Sequence, residues 1–186
     1  MSIHEVATIG NPILRAQARE IVASEIGSPE LRQLVVDMVE TMHAMDGIGL
    51  AAPQISVPLQ LAVIEMSPES ERYPDIDSLP LTVFINPRIT VLDETEQEFW
   101  EGCLSVPNLR GVVPRPRKVR VDFMGLEGQA SSLTAEGFVA TVLQHELDHL
   151  QGVLFLDRMP DITRLATVED FARFWANDED SPPVAD

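Results

Sequence analysis

Two histidines four residues apart, with a glutamate directly after the first, open the chemical reading of this chain: Gln144-His145-Glu146-Leu147-Asp148-His149. The pattern is HExxH within an apolar, helix-like run. At 3.6 residues per turn, positions i and i+4 stack on one helical face, so both imidazoles can reach one metal ion. Two neutral nitrogens suit a borderline divalent ion such as zinc or ferrous iron. Glu146 projects beside them and suits general-base work on a water activated by such an ion.

A catalytic site of this type takes three protein ligands. No histidine follows His149, which leaves two candidates. Glu169 lies 20 residues downstream, a plausible spacing for a zinc endoprotease, although an acidic residue at a helix start is also what the helix dipole favours. Cys103 is the favoured choice. It stands in Glu101-Gly102-Cys103-Leu104-Ser105, following a predicted strand, where Gly102 permits close backbone approach. Metal binding would keep its sulfur deprotonated.

The elements that must position these groups follow from periodicity. A helix is expected over 28–46, capped by Ser28 with Pro29 in its first turn and a stripe of Leu31, Val35, Met38, Met42 and Met45. Gly47-Ile48-Gly49 stops it, and a strand follows near 59–66. Residues 67–80 read as a proline-rich loop. Strands are expected at 81–86, 88–93, 96–100, 118–124 and 128–133. The HExxH helix should run from about 135 to 151 and stop at Gly152, and its several apolar faces mark a buried helix. The expected fold is α+β, with short antiparallel strands packed around a buried central helix carrying HExxH. Residues 1–160 would be the catalytic domain and 161–177 a C-terminal helix on or near it. Residues 178–186 would form an acidic, disordered tail.

Composition narrows the function. The chain has 186 residues, 45% of them hydrophobic, enough for one packed domain. No apolar run reaches membrane-spanning length, and the start shows no basic region followed by an apolar stretch. A single cysteine fits a reducing compartment, so a cytoplasmic location is expected. A net charge of −17 argues against broad nucleic-acid binding. Arg110, Arg115, Arg117, Lys118 and Arg120 nevertheless form a basic run without acidic residues. Two readings stay open for it: a strand pair balancing acidic neighbours, or a local positive patch for an anionic substrate group.

Three stretches in order resemble the signature motifs of the peptide deformylases: Gly47-Ile48-Gly49-Leu50-Ala51-Ala52-Pro53-Gln54, Glu101-Gly102-Cys103-Leu104-Ser105 and Gln144-His145-Glu146-Leu147-Asp148-His149-Leu150. The resemblance covers roughly residues 3–160. It implies hydrolysis of the formyl group from N-formylmethionine at the start of nascent polypeptides, releasing formate. It implies Cys103, His145 and His149 as ligands of one divalent metal ion, with Fe2+ native and Zn2+, Ni2+ or Co2+ able to substitute. Glu146 would move protons, while the Gln54 amide and the Leu104 backbone N–H would stabilise the oxyanion.

For the substrate, Ile48, Leu104, Phe138 and Val142 are the candidate walls of a methionine pocket. The last two are chosen because helical spacing puts them on the face of His145 and His149. Gly47 and Gly49 would let backbone pair with an extended peptide, Arg110 would hold the peptide end, and Glu101 would orient groups around the metal. The partners implied are formylmethionyl nascent peptides, with the ribosome met transiently if at all. No membrane and no specific nucleic acid are expected, and the protein is expected to act as a monomer. Residues 161–186 carry seven acidic and two basic residues, so docking on ribosomal RNA by a basic tail is not expected. The competing readings are a zinc endoprotease using His145, His149 and Glu169, and a deformylase-like protein whose metal is structural.

Overall fold

The computed structural model describes residues 2–66, 78–176 and 181–185. Helix α1, Pro29–Ala44, begins where its capping signal predicts, with Ser28 accepting from Leu31 N and Pro29 in the first turn. Leu31, Val35, Met38 and Met42 form its buried stripe, whereas Met45 falls beyond the last turn and is exposed.

Strand β1 (Gly49–Ala51) pairs with β2 (Leu61–Met66), which pairs with β3 (Leu79–Cys103). Next come β4 (Val106–Met124) and β5 (Ala130–Glu136). These five are antiparallel in the order β1-β2-β3-β4-β5. Of the expected loop 67–80, residues 67–77 lie outside the described residues, and Leu79 and Pro80 already belong to β3.

The strands are longer than expected. The segments predicted at 81–86, 88–93 and 96–100 are parts of one 25-residue strand. Register shifts at Ile85/Arg88, Val91/Asp93 and Asp93/Glu96 bend it without ending it. Asn86 makes the first bend with a left-handed φ of 50°, and its amide exchanges two 2.8 Å hydrogen bonds with the backbone of Ile21. In β4 the expected strand 118–124 extends back to Val106. Pro107, Pro114 and Pro116 hid that half of it from a periodicity reading.

Strand β2 shows how the sheet divides the core. Ala62, Ile64 and Met66 face one cluster with helix α2 (Gly137–His149), while Leu61 and Val63 face another with α1. The larger of these buried side chains, Leu61, Val63, Ile64 and Met66, each contribute about 1.5–3 kcal/mol relative to exposure. All residues of α2 from Val139 to His149 are buried, as a helix apolar on several faces requires. The chain turns away at Gly152, where φ is +72° and a Cβ would stand 2.6 Å from the Arg15 carbonyl oxygen. Only glycine fits there.

The C-terminal part departs from the single helix expected over 161–177. After the short α3 (Phe155–Arg158) and a 3-10 turn at Ile162–Arg164, β6 (Leu165–Thr167) pairs with Leu109–Gly111 of β4. Thr167 then caps α4 (Val168–Phe174) by accepting from Asp170 N. Pairing with β4 satisfies residues 165–167 as strand, so the helix starts later than its sequence pattern suggests. Of the acidic tail expected to be disordered, residues 178–180 and 186 lie outside the described residues. The rest differs from expectation: β7 (Val184–Ala185) runs parallel to Trp100–Glu101, and Ser181 accepts from the Trp100 indole. Val184 packs with Trp100 and Phe171, which gives this segment an apolar anchor.

Candidate metal centre

Cys103 ends β3, and a two-residue turn, Leu104-Ser105, returns the chain into β4 with Cys103 opposite Val106. The last turn of α2 brings both histidines to this turn. The Cys103 Sγ lies 3.3 Å from His149 Nε2, and the donor atoms of Cys103, His145 and His149 lie within 4.8 Å of one another. Among the described residues this is the group able to hold a metal ion. Glu169 is not part of it: it is exposed in the first turn of α4.

The two histidines sit in different electrostatic surroundings. Burial lowers the pKa of His145, but its hydrogen bonds and charge interactions with Cys103 and Glu101 more than reverse this, and its ring rises well above the usual range. His149, buried with no carboxylate partner, is pushed well below it and stays neutral. A thiolate, a neutral imidazole and a second imidazole oriented by a carboxylate suit a borderline divalent ion, so the residues present fit the metal that HExxH implies.

A chain of buried charges braces the ligands from behind. His145 Nδ1 is 2.8 Å from Glu101 Oε2. Both Glu101 oxygens accept from Arg115, whose third nitrogen donates to Asp148 at 2.9 Å. Arg158 completes the set from the surface side at 2.7 Å. Burial raises the Glu101 pKa, but the Arg115 charge outweighs it and holds the carboxyl below its ordinary value. Arg115, 3% exposed, is held protonated by the two carboxylates against the effect of burial.

The sequence placed Glu101 near the metal, yet gave Arg115 to a solvated strand or a positive patch and gave Asp148 no role. No patch forms. Arg115 is buried, Arg117 and Lys118 pair with Glu136, Arg120 pairs with Asp122, and the Arg110 guanidinium lies 5.2 Å over the Phe171 ring. The clue to Asp148 was its position beside His149, on a helix too apolar to carry an unpaired carboxylate.

In front of the ligands a cleft of about 260 Å³ opens, at the small end for ligand pockets. It is lined by Ile48, Gly49, Gln54, Cys103, Leu104, Arg110, His145 and Glu146, with Met45 and Val168 also on its lining. Gln54 sits in the 3-10 turn Ala52–Ile55 and is 1% exposed. Its Oε1 accepts from Ala51 N at 2.8 Å, which fixes the amide so that Nε2 faces Ser105 Oγ at 3.2 Å and Cys103 Sγ at 3.6 Å.

Glu146 is buried, and among the described residues its Oε2 has no hydrogen-bond partner. Burial, with the Glu101 charge adding to it, pushes its pKa up to about 7. A Cβ at Gly49 would lie 2.5 Å from Glu146 Oε1, so the glycine makes room for the carboxylate. Since β1 ends the strand order, the Gly47–Gly49 backbone has an edge toward the cleft that no described strand covers.

Phe138 and Val142, expected on the pocket wall, do not line this cleft. Val142 is 3% exposed within the core shared by α2 and the sheet, and Phe138 packs against that core with its ring 5.8 Å from Phe99. Helical spacing gave them the right side of α2. The sheet that covers this part of the helix was not visible to that argument.

The family model described as polypeptide deformylase matches residues 3–165. A peptide deformylase of Leptospira biflexa is 43% identical over 170 residues, covering 91% of this chain and 95% of that protein. Peptide deformylase 1 of Nitrosomonas europaea is 46% identical over 162 residues, 87% of this chain and 90% of that one. Among solved structures, a class I type b peptide deformylase from Acinetobacter baumannii with bound Met-Ala-Ser superposes with a TM-score of 0.82 at 37% identity, covering 85% of this chain and 99% of that one. The actinonin complex of a Synechococcus elongatus peptide deformylase gives 0.77 at 34% identity, covering 97% and 91%.

Proposed function

Since the chain belongs to the polypeptide deformylase family and removes the N-formyl group from formylmethionyl nascent peptides, we propose that Cys103, His145 and His149 hold the metal of this reaction and Glu146 moves its protons. The observation that carries this reading is a cleft lined by Cys103, His145, Glu146 and the oriented Gln54 amide, with His149 behind the lining at 3.3 Å from Cys103 Sγ. A divalent ion bound there would act as a Lewis acid on the formyl carbonyl and make water more acidic.

The residues do the rest. Glu146 accepts the proton of the attacking water and returns it to the departing nitrogen, so that the C–N bond breaks and formate and a free amine leave. Its pKa near 7 suits both directions of transfer. The Gln54 Nε2 and the Leu104 backbone N–H donate to the developing oxyanion. Glu101, braced by Arg115, keeps the His145 ring in its ligating orientation. The Gly47–Gly49 edge pairs with the extended peptide, Ile48 and Leu104 contact the methionine, and Phe138 and Val142 support that pocket from the core. Arg110 on the cleft lining holds the peptide end.

Fe2+ is the native ion in this reading, with Zn2+, Ni2+ or Co2+ able to take its place, since thiolate and imidazole accept all four. The enzyme works as a cytoplasmic monomer and meets the ribosome only transiently, without a membrane or a specific nucleic acid. Among the described residues no helix is long and apolar enough to cross a membrane, and the net charge of −17 opposes a phosphate surface.

Formate release from a short formylmethionyl peptide, by protein loaded separately with iron, nickel or zinc, tests the reading together with metal analysis of two variants. Cys103→Ala should lose both metal and turnover, and Glu169→Ala should keep both. The reverse pattern would favour an endoprotease centred on Glu169. Retained metal without formate from any loaded form would favour a structural ion.

A further inference from the structure

The family model ends at residue 165, yet the chain beyond it reaches the cleft. Strand β6 pairs Leu109 with Thr167 and Arg110 with Ala166. Continued one residue, this register carries Val168, the first residue of α4, past Leu109 toward Asn108, and all three stand on the cleft lining. The placement is braced: Phe171, one turn on, is 7% exposed, packs on Trp100 and lies under the Arg110 guanidinium.

Val168 itself is 44% exposed, and Met45, the other outlying apolar residue of the cleft lining, is 39% exposed. Neither belongs to a core cluster. Each is an apolar side chain left half in water on the lining of a small cleft whose inner part already serves the reacting group. The residues that follow Val168, Glu169 and Asp170, are acidic and exposed.

We propose that Met45 and Val168 form an apolar subsite for the side chain of the second residue of the formylated peptide, so that the C-terminal segment of this chain sets a preference beyond methionine. The occupant is the substrate because this surface is continuous with the catalytic cleft. An apolar second residue covers this surface, glycine leaves it in water, and an acidic one sets a charge against it. The inference rests on the deformylase reading and adds a specificity to it.

The test is the ratio of kcat/KM for formyl-Met-Leu-Ser over formyl-Met-Gly-Ser, with formyl-Met-Asp-Ser as a third peptide, on the metal-loaded full chain. The expected order is Leu, Gly, Asp, with leucine favoured over glycine about tenfold, the lower end of what an apolar group is worth in a pocket. Val168→Asp should bring the Leu/Gly ratio near one, with the loss carried by KM, as for contact made equally in ground and transition states. Val168→Thr, nearly the same in shape, should lower the ratio in the same direction without risk to the fold. Phe174→Ser, on the same helix but off the cleft lining, should keep the wild-type ratio. Formate release from every peptide with ratios that no Val168 variant moves would overturn the subsite alone. Absence of formate from all three peptides would overturn the deformylase reading and the subsite with it.

Discussion

Two buried glutamates stand near the Cys103, His145 and His149 group, and their surroundings give them opposite characters. Behind, Glu101 touches His145 and is held on both oxygens by Arg115, which in turn is held by Asp148. In front, Glu146 is also buried, but its Oε2 has no hydrogen-bond partner among the described residues, and it lines the cleft. The first carboxyl is lowered below its usual range, while the second rises to about 7. The difference teaches that burial alone does not make a catalytic acid–base group. Burial without a hydrogen-bonded guanidinium raises the carboxyl, and burial with one makes a brace.

Breaking the front should have the largest effect. Glu146→Gln in the metal-loaded enzyme is expected to lower kcat by about 100- to 10,000-fold, the range for a lost general base, while metal analysis shows full occupancy. Breaking the rear should act on the fold. Arg115→Met takes the guanidinium from the buried Glu101 and leaves Asp148 with Arg158 alone, and should cost about 3–5 kcal/mol in urea unfolding. A loss below about 1 kcal/mol would mean that the rear network is not the brace described here.

The smallest effect sharpens the contrast through pH. In the metal-free protein Glu146 binds its proton more tightly when folded, so its contribution is fully present below about pH 4.5 and is lost as pH rises through about 7. The slope should amount to about 3 kcal/mol and should vanish in Glu146→Gln, which is therefore expected to be the more stable metal-free protein at pH 8. Glu101 works in the opposite sense: its stabilisation holds at neutral pH and is lost only as pH falls below the ordinary carboxylate range. Equal pH slopes in the two proteins would remove the distinction between the glutamates.

Much of the front was legible in the sequence because its signals are local. HExxH spacing, the glycine before Cys103 and the capping of α1 by Ser28 each depend on a few neighbouring residues. The rear was not, since Arg115 and Asp148 meet across 33 positions and nothing local marks either as buried. The same reason explains β4, whose prolines suppress strand signals that the pairing with β3 restores. It also explains residues 165–167, which read as helix until β4 is present to pair with them. Phe138 and Val142 show the converse error, a correct helical face assigned to a pocket that the sheet fills with core.

Cys103 and His149 lie 46 residues apart, and β4, β5 and α2 all stand between one ligand and the other. No shorter piece of the chain carries a reduced version of the centre: synthesis must pass the second histidine, and the sheet must close, before any of it exists. The centre is thus a property of one continuous span, and any cut between Cys103 and His149 takes away a donor together with the strands that place it.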